Sequence, residues 1–137
     1  ITFVIATEYK WSPDSQSVYY KPLETSEDIW SLLHEVSHAA LDHSTFSYDI
    51  ELIGKQVEAW DYAQNTLAPR YKMSIPNKII DEALETYREC LHARSACPNC
   101  IQTGQQIKTD TYQCLNCRCL WRRNDARRCR LQRVKLV

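Results

Sequence analysis

The arrangement of the cysteines limits most strongly how this chain can fold. Six of the seven cysteines lie after residue 96, and four of them form two Cys-x-x-Cys pairs, Cys97/Cys100 and Cys114/Cys117. Four thiolates at this spacing can surround one tetrahedral zinc ion, which stabilises a segment too short to have its own hydrophobic core. We therefore predict a small zinc ribbon at residues 96–137, with strands at Gln105 to Lys108 and Thr111 to Gln113.

The fourth ligand of the predicted zinc site has two candidates. Cys119 lies two residues after Cys117, and either thiolate could complete the site, although the regular spacing favours Cys117.

Clustered pairs indicate metal binding in a reducing compartment rather than a disulfide scaffold. No apolar run approaches the roughly 18 residues that a membrane span requires. We therefore expect a cytoplasmic, monomeric protein that is not associated with a membrane.

The part of the chain before the cysteine pairs has the pattern of a helix-rich domain. Only two glycines occur in 137 residues, which leaves little material for the turns of a many-stranded sheet. Amphipathic helices are predicted from Ser26 to about Leu41, from Tyr48 to Leu67 and from Pro76 to about Arg94. Two short runs at 1–6 and 17–21 predict an N-terminal β-ribbon. The expected fold is α+β, with a helix-rich domain at 1–95 and the zinc ribbon at 96–137.

The first helix carries the motif His34-Glu35-Val36-Ser37-His38, which has the HExxH pattern. Residues four apart lie on the same face of a helix, so both imidazoles can reach one zinc ion. Glu35 lies about 100° further round the helix, where it would reach a water molecule on the ion and act as general base. The motif follows a predicted edge strand, which could hold a substrate backbone by strand addition.

A catalytic zinc ion needs a third protein ligand. The first candidate is Glu58 on the second helix, since 20 residues after His38 leave room for a reversal and an antiparallel return. The second is His43, which could reach the ion only if the first helix ends before it. The predicted buried stripe of the second helix consists of Ile50, Ile53, Val57 and Trp60.

The HEVSH motif, followed by a helix with VEAWDYA, resembles the gluzincin branch of the zincin metallopeptidases, including minimal members and ImmA/IrrE-type proteins. The resemblance implies a zincin-like domain that hydrolyses peptide bonds with a metal-activated water. It implies that His34 and His38 bind zinc, that Glu58 is the third ligand and that Glu35 is the base. It also suggests that Asp61 orients a ligand histidine. Tyr71 and His43 are candidates to stabilise the oxyanion of the reaction.

The C-terminal segment is strongly basic, with nine Lys and Arg residues against two acids in 97–137. Arginines near an aromatic side chain can bind phosphates and stack on bases, so a nucleic-acid partner is a second expectation besides a protein or peptide substrate. The candidate residues are Arg118, Arg122, Arg123, Arg127 and Arg128. An HExxH helix followed by a basic zinc ribbon also resembles the SprT-like (Spartan) proteases, which cleave DNA-bound proteins. A non-catalytic DNA-binding regulator is a further alternative.

Overall fold

The computed structural model describes residues 1–44, 48–124 and 133–136, and both helices and β-sheets are present, which confirms the predicted α+β class. The described residues divide into two compact units. The first contains 1–44 and 54–80, and the second contains 48–53, 81–124 and 133–136. The predicted domain boundary after residue 95 stays a prediction, because a grouping by contacts does not show which segments fold independently. Within the described ranges, no helix is long and apolar enough to cross a membrane.

The first unit begins with a three-stranded sheet of β1 (Thr2–Ile5), β2 (Lys10–Ser12) and β3 (Ser17–Tyr20). The strand order is β1-β3-β2, with β1 parallel and β2 antiparallel to β3. The two strands predicted from the sequence are therefore β1 and β3, whereas β2 falls in the segment interpreted as a polar connection. The strand before the HExxH helix, predicted to be an edge, is the central strand. Strand addition would have to use β1 or β2.

Helix α1 (Ser26–Ala40) begins at the residue predicted from the sequence, and a capping box precedes it. The Thr25 side chain accepts a hydrogen bond from the Asp28 backbone N–H, and the Asp28 carboxylate accepts one from the Thr25 N–H. Hydrogen bonds to the Glu24 N–H, the Tyr9 hydroxyl and Thr25 lower the pKa of Asp28 to about 2. The helix packs on the sheet through an apolar cluster formed by Trp11, Val18, Leu32, Val36 and Ala39.

Helix α2 (Asp49–Tyr62) continues through a π-helical turn at Ala63–Leu67 into the short helix α3 (Ala68–Arg70), and α4 covers Asn77–Ser95. The predicted buried stripe of α2 is wrong at two of its four positions, because Ile50 is 82% exposed and Val57 is 42% exposed, whereas Trp60 is buried and Ile53 is partly buried. The side chains buried next to Trp60 are Gln56 and Ala59 in α2 and Ala63 just after it. These residues also recur at helical spacing. The buried face of the helix is therefore the one that contains the polar residue Gln56.

The second unit contains a four-stranded antiparallel sheet in the order β4-β5-β6-β7. Its strands are β4 (Gly104–Gln106), β5 (Thr111–Cys114), β6 (Leu120–Arg123) and β7 (Arg133–Lys135), of which the sequence predicted the first two. Asp49 is central to the contacts within this unit: its carboxylate lies 3.2 Å from the buried Arg94 guanidinium and accepts a 2.6 Å hydrogen bond from the Tyr112 hydroxyl. The Trp121 indole donates to the Arg94 carbonyl at 2.9 Å.

Candidate metal centres

The two histidines of the HExxH motif meet inside the first unit. His34 and His38 are both buried on α1, and their Nε2 atoms are 3.1 Å apart. Two nitrogen ligands of a tetrahedral zinc ion, each about 2.0–2.1 Å from the metal, are separated by about 3.4 Å. The spacing of the two imidazoles therefore fits a shared metal ion, as the four-residue interval predicts.

The surroundings of His34 keep its imidazole neutral. Burial, followed by the charge of neighbouring His38, lowers the pKa of His34 to about 3, and a hydrogen bond with Gln56 opposes that shift. The ring stacks on Trp60 with a centroid distance of 4.2 Å, and its Nδ1 atom is buried without a hydrogen-bond partner. The neutral imidazole is the form in which a histidine binds a metal ion.

His43 reaches the site because α1 ends immediately before it. Asp42 has a left-handed φ of 53°, the His43 N–H bonds the His38 carbonyl at 3.0 Å and the Asp42 N–H bonds the Ala39 carbonyl at 3.1 Å. This pair of bonds is the Schellman motif, which closes helices with a left-handed residue. The reversal places His43 Nδ1 2.8 Å from His38 Nδ1, and the Trp11 indole holds the His43 carbonyl at 2.8 Å.

The two polar residues of α2 that face these histidines differ in burial. Gln56 is 6% exposed, and its Oε1 atom lies 3.3 Å from His38 Nε2. The Glu58 side chain is 65% exposed, and its Oε2 atom lies 2.9 Å from His43 Nε2. The structure therefore brings Gln56 to the ligand atom of His38, whereas Glu58, the ligand predicted from the sequence, contacts the histidine on the other side. Glu58 as third ligand stays a prediction.

The remaining predicted residues of the catalytic site lie in different surroundings. Glu35 is half-buried on α1, directly after His34. The Asp61 carboxylate accepts a 2.7 Å hydrogen bond from the Asn65 amide, which lies one helical turn further on. Tyr71 is 66% exposed and lines an apolar pocket that also contains Leu33 and Met73. The contacts of Asp61 and Tyr71 thus give no support to their predicted roles, which stay predictions.

Gln56 is the residue of this cluster that the sequence analysis did not select. An amide side chain is an ordinary surface residue, so nothing in the pattern of His, Cys, Asp and Glu residues draws attention to it. The signal was its spacing: Gln56 lies four residues before Trp60 and three before Ala59, on one helical face with both. A polar residue in the middle of such a face needs a polar partner when it is buried.

The four cysteines of the Cys-x-x-Cys pairs form a second cluster, in the second unit. The Sγ atoms of Cys97, Cys100, Cys114 and Cys117 all lie within 4.8 Å of one another and could hold a metal ion. The Sγ separations are 3.6 Å between Cys97 and Cys117 and 3.4 Å between Cys100 and Cys114. A tetrahedral zinc ion with bonds of about 2.3 Å separates its sulfur ligands by about 3.8 Å, and these two separations are close to that value.

Hydrogen bonds from N–H groups stabilise these sulfur atoms as acceptors. The backbone N–H groups of Asn99 and Asn116 donate to Cys97 and Cys114 at 3.4 Å and 3.3 Å. The Asn side chains cross over, from Asn99 to Cys117 and from Asn116 to Cys100, both at 3.6 Å. The backbone N–H of Cys119, followed by the Asn99 amide, lowers the pKa of Cys117 to about 6.

Cys119, the alternative fourth ligand, differs from Cys117 in its surroundings. Its thiol is directed to the Leu120 carbonyl at 3.7 Å, and burial raises its pKa. The converging group of four contains Cys117 and not Cys119. The structure therefore favours the spacing that the sequence analysis preferred.

The candidate nucleic-acid-binding arginines fall into three groups. Arg118 is exposed, and Arg122 is 60% exposed with its guanidinium 3.6 Å from Asp110. Arg123 is buried and donates to the backbone carbonyls of Thr109 at 2.9 Å and Asn124 at 3.0 Å, so its contacts stabilise the ribbon. Arg127 and Arg128 lie outside the described residues.

The histidine cluster on α1 and the cluster of four cysteines are the features of the described residues that bear on function. No protein-family model, no curated protein and no solved structure matches this chain.

Proposed function

We propose that this chain is a zinc-dependent endopeptidase in which His34 and His38 bind the catalytic ion and Glu35 is the general base. The observation that supports the proposal most directly is the 3.1 Å separation of the two buried Nε2 atoms on consecutive turns of one helix. The third protein ligand has three candidates, Glu58 and His43 from the sequence and Gln56 from its position.

Each residue of the motif has a distinct part in peptide hydrolysis. A bound zinc ion supplies Lewis-acid activation of a water molecule and of the peptide carbonyl. Glu35 takes the proton released when the water attacks and returns it to the nitrogen of the leaving amine. The rings of His34 and His38 are held in one orientation, because His34 is stacked on Trp60 and His38 contacts His43.

We further propose that Cys97, Cys100, Cys114 and Cys117 bind a second, structural zinc ion. Four thiolates leave no coordination position for water, so such a site contributes to folding rather than to catalysis. The intact chain would then contain two zinc ions with different ligand types, and the two sites can be separated by mutation.

Replacing Glu35 with glutamine tests the catalytic proposal. The change removes the base but keeps the size of the side chain, so cleavage of a fluorescently labelled unfolded protein should fall by about 10²–10⁴-fold. Zinc content, measured by mass spectrometry of the purified protein, should remain at two ions per chain.

Two further results bear on the same test. His38→Ala should abolish cleavage and lower the zinc content to one ion, whereas Glu89→Ala, an exposed glutamate on α4, should change neither. Cleavage by Glu35→Gln at the wild-type rate, or a zinc content unaffected by His38→Ala, would contradict the proposed activity.

Nucleic-acid binding by the second unit is the alternative function. It is favoured by exposed cations in the described part of the second unit, among them Arg118, Arg122, Arg133 and Lys135. It would make the chain either a protease acting on DNA-bound proteins or a non-catalytic regulator. Those two readings differ in whether Glu35→Gln abolishes function.

Fluorescence anisotropy with a labelled single-stranded oligonucleotide checks this alternative. If Arg118 and Arg122 contact phosphates, replacing both with alanine should weaken binding and reduce the dependence of log K on log[salt] by about 1.4. Arg88→Ala, which removes a 53% exposed arginine of α4, should have no such effect. Equal binding by all three proteins would exclude the two ribbon arginines as contacts.

A further inference from the structure

The contacts of His43 determine the protonation of the neighbouring rings. The Glu58 carboxylate accepts hydrogen bonds only, so His43 Nε2, 2.9 Å away, must carry a proton. A neutral His43 then presents an unprotonated Nδ1 to His38, and the 2.8 Å contact requires the proton on His38 Nδ1. A neutral His38 is left with an unprotonated Nε2. This assignment is inferred from the contacts.

A carboxamide oxygen faces that unprotonated nitrogen. Gln56 Oε1 lies 3.3 Å from His38 Nε2, and both atoms are hydrogen-bond acceptors. His34 Nε2 lies 3.1 Å from the same nitrogen, so a second imidazole nitrogen and a carboxamide oxygen both lie within 3.3 Å of His38 Nε2. Two imidazole nitrogens and one amide oxygen at this spacing are a donor set that suits a small cation.

Glu58 cannot take the place of Gln56 in this donor set without a change of helix face. Residues two apart point about 200° away from each other around a helix. Gln56 is buried together with Ala59 and Trp60, whereas the Glu58 side chain is 65% exposed. Glu58 contacts His43 and not the two histidines of the motif, so it would influence the site through His43.

We infer that Gln56 Oε1 is the third protein ligand of the His34/His38 metal site, and that Glu58 is a positioning residue which fixes the tautomer of His38 through His43. The inference rests on the proposed function for the existence of the site, and it assigns different residues to two of its roles. Carboxylate partners that orient a ligand histidine are common around protein metal sites, and here a second histidine lies between them. A neutral carboxamide compensates less of the positive charge of the ion than a carboxylate would.

The affinity of the site for Co²⁺ tests the assignment of Gln56. The full chain, with its cysteine cluster first filled by one equivalent of zinc, is titrated with Co²⁺ and followed by its visible absorption. Gln56→Glu should tighten binding by at least tenfold, because a carboxylate replaces a neutral ligand. Gln56→Leu should weaken binding by at least tenfold and change the absorption spectrum. Gln105→Glu, an exposed position on β4, provides the same change of net charge away from the site.

The imidazole ¹⁵N chemical shifts of the metal-free protein test the assignment of Glu58. In the wild type, His38 should carry its proton on Nδ1. In Glu58→Ala the constraint on His43 is removed, so His38 should become a mixture of tautomers. The Co²⁺ spectrum of Glu58→Ala should keep the wild-type shape, even if binding is weaker, because the ligands are unchanged. Glu89→Ala is the matched control.

The possible failures are separate. If His38→Ala removes no metal ion, the proposed peptidase site itself is wrong. If His38→Ala removes the ion but Gln56→Glu and Gln56→Leu both bind Co²⁺ within twofold of the wild type, the site exists and Gln56 is not its ligand. A Co²⁺ spectrum that changes in Glu58→Ala but not in Gln56→Leu would establish Glu58 as the ligand.

Discussion

The strands of the second unit will lose their protection from amide hydrogen exchange when Cys114 is replaced by serine. This thiol is buried at 2% exposure and lies with the other three cysteines of the cluster, so its loss would leave the proposed zinc site incomplete inside the small core formed around Tyr112 and Trp121. Structural zinc sites contribute an apparent binding free energy of about 10–16 kcal/mol in zinc-finger peptides, far more than a sheet of this size provides without metal. Hydrogen exchange followed by mass spectrometry measures the change peptide by peptide.

The same experiment includes a control that separates the two candidates for the fourth ligand. Cys117→Ala should release the zinc ion and expose β5 and β6 to exchange in the way that Cys114→Ser does. Cys119→Ala should keep the ion, since the Cys119 thiol contacts a backbone carbonyl. Retention of zinc by Cys117→Ala together with its loss from Cys119→Ala would reverse the assignment.

Replacing Asp49 with alanine should lower the free energy of unfolding by about 3–5 kcal/mol, the usual cost of leaving one partner of a buried ion pair without its counter-charge. The Arg94 side chain is 2% exposed and its Nε atom is buried without a partner, so little solvent can replace the lost carboxylate. The Tyr112 hydroxyl would lose its acceptor as well. Urea denaturation followed by tryptophan fluorescence gives the change in stability.

Two companion variants sharpen the Asp49 measurement. Asp61→Ala removes an exposed carboxylate of the same helix, and its effect should stay below about 0.5 kcal/mol. Tyr112→Phe removes only the hydroxyl, so the double variant with Asp49→Ala should be less destabilised than the sum of the two single variants. A loss below about 1 kcal/mol for Asp49→Ala would show that the Arg94 charge is compensated in another way.

The sequence predicted those parts of the fold that depend on short-range patterns. The start of α1 at Ser26 and the four-residue interval between His34 and His38 are local features, and the structure has both. The spacing of the two cysteines within each Cys-x-x-Cys pair is equally local. Such patterns are informative because the geometry of one helical turn or one Cys-x-x-Cys loop is nearly independent of its surroundings.

The orientation of α2 could not be predicted in the same way. Its sequence contains two stripes at helical spacing, and the more hydrophobic one is exposed at Ile50 and Val57. The stripe that packs includes Gln56, whose burial makes sense only when the partners on α1 are known. Because the choice depends on contacts between helices, the sequence identified Glu58 as a chemically suitable ligand and missed the residue that faces the histidines.

The parallel pairing of β1 with β3 was also beyond the local pattern. The connection between these strands contains β2, a three-residue strand beside Pro13, which is too short to give an alternating signal. The position of β2 depends instead on the tertiary contacts of Trp11, whose side chain is buried against α1 and whose indole N–H donates to the His43 carbonyl.

The crossed amide contacts of Asn99 and Asn116 have a consequence for chemical reactivity. Each of these side chains donates to a sulfur atom of the opposite knuckle, Cys117 or Cys100, and thereby withdraws electron density from it. Hydrogen bonds of this kind favour the thiolate over the thiol, and at Cys117 the Asn99 amide follows the Cys119 backbone N–H in lowering the pKa to about 6. Because Cys117 is also exposed, it is the thiol of this cluster that an alkylating reagent should modify first in the metal-free protein.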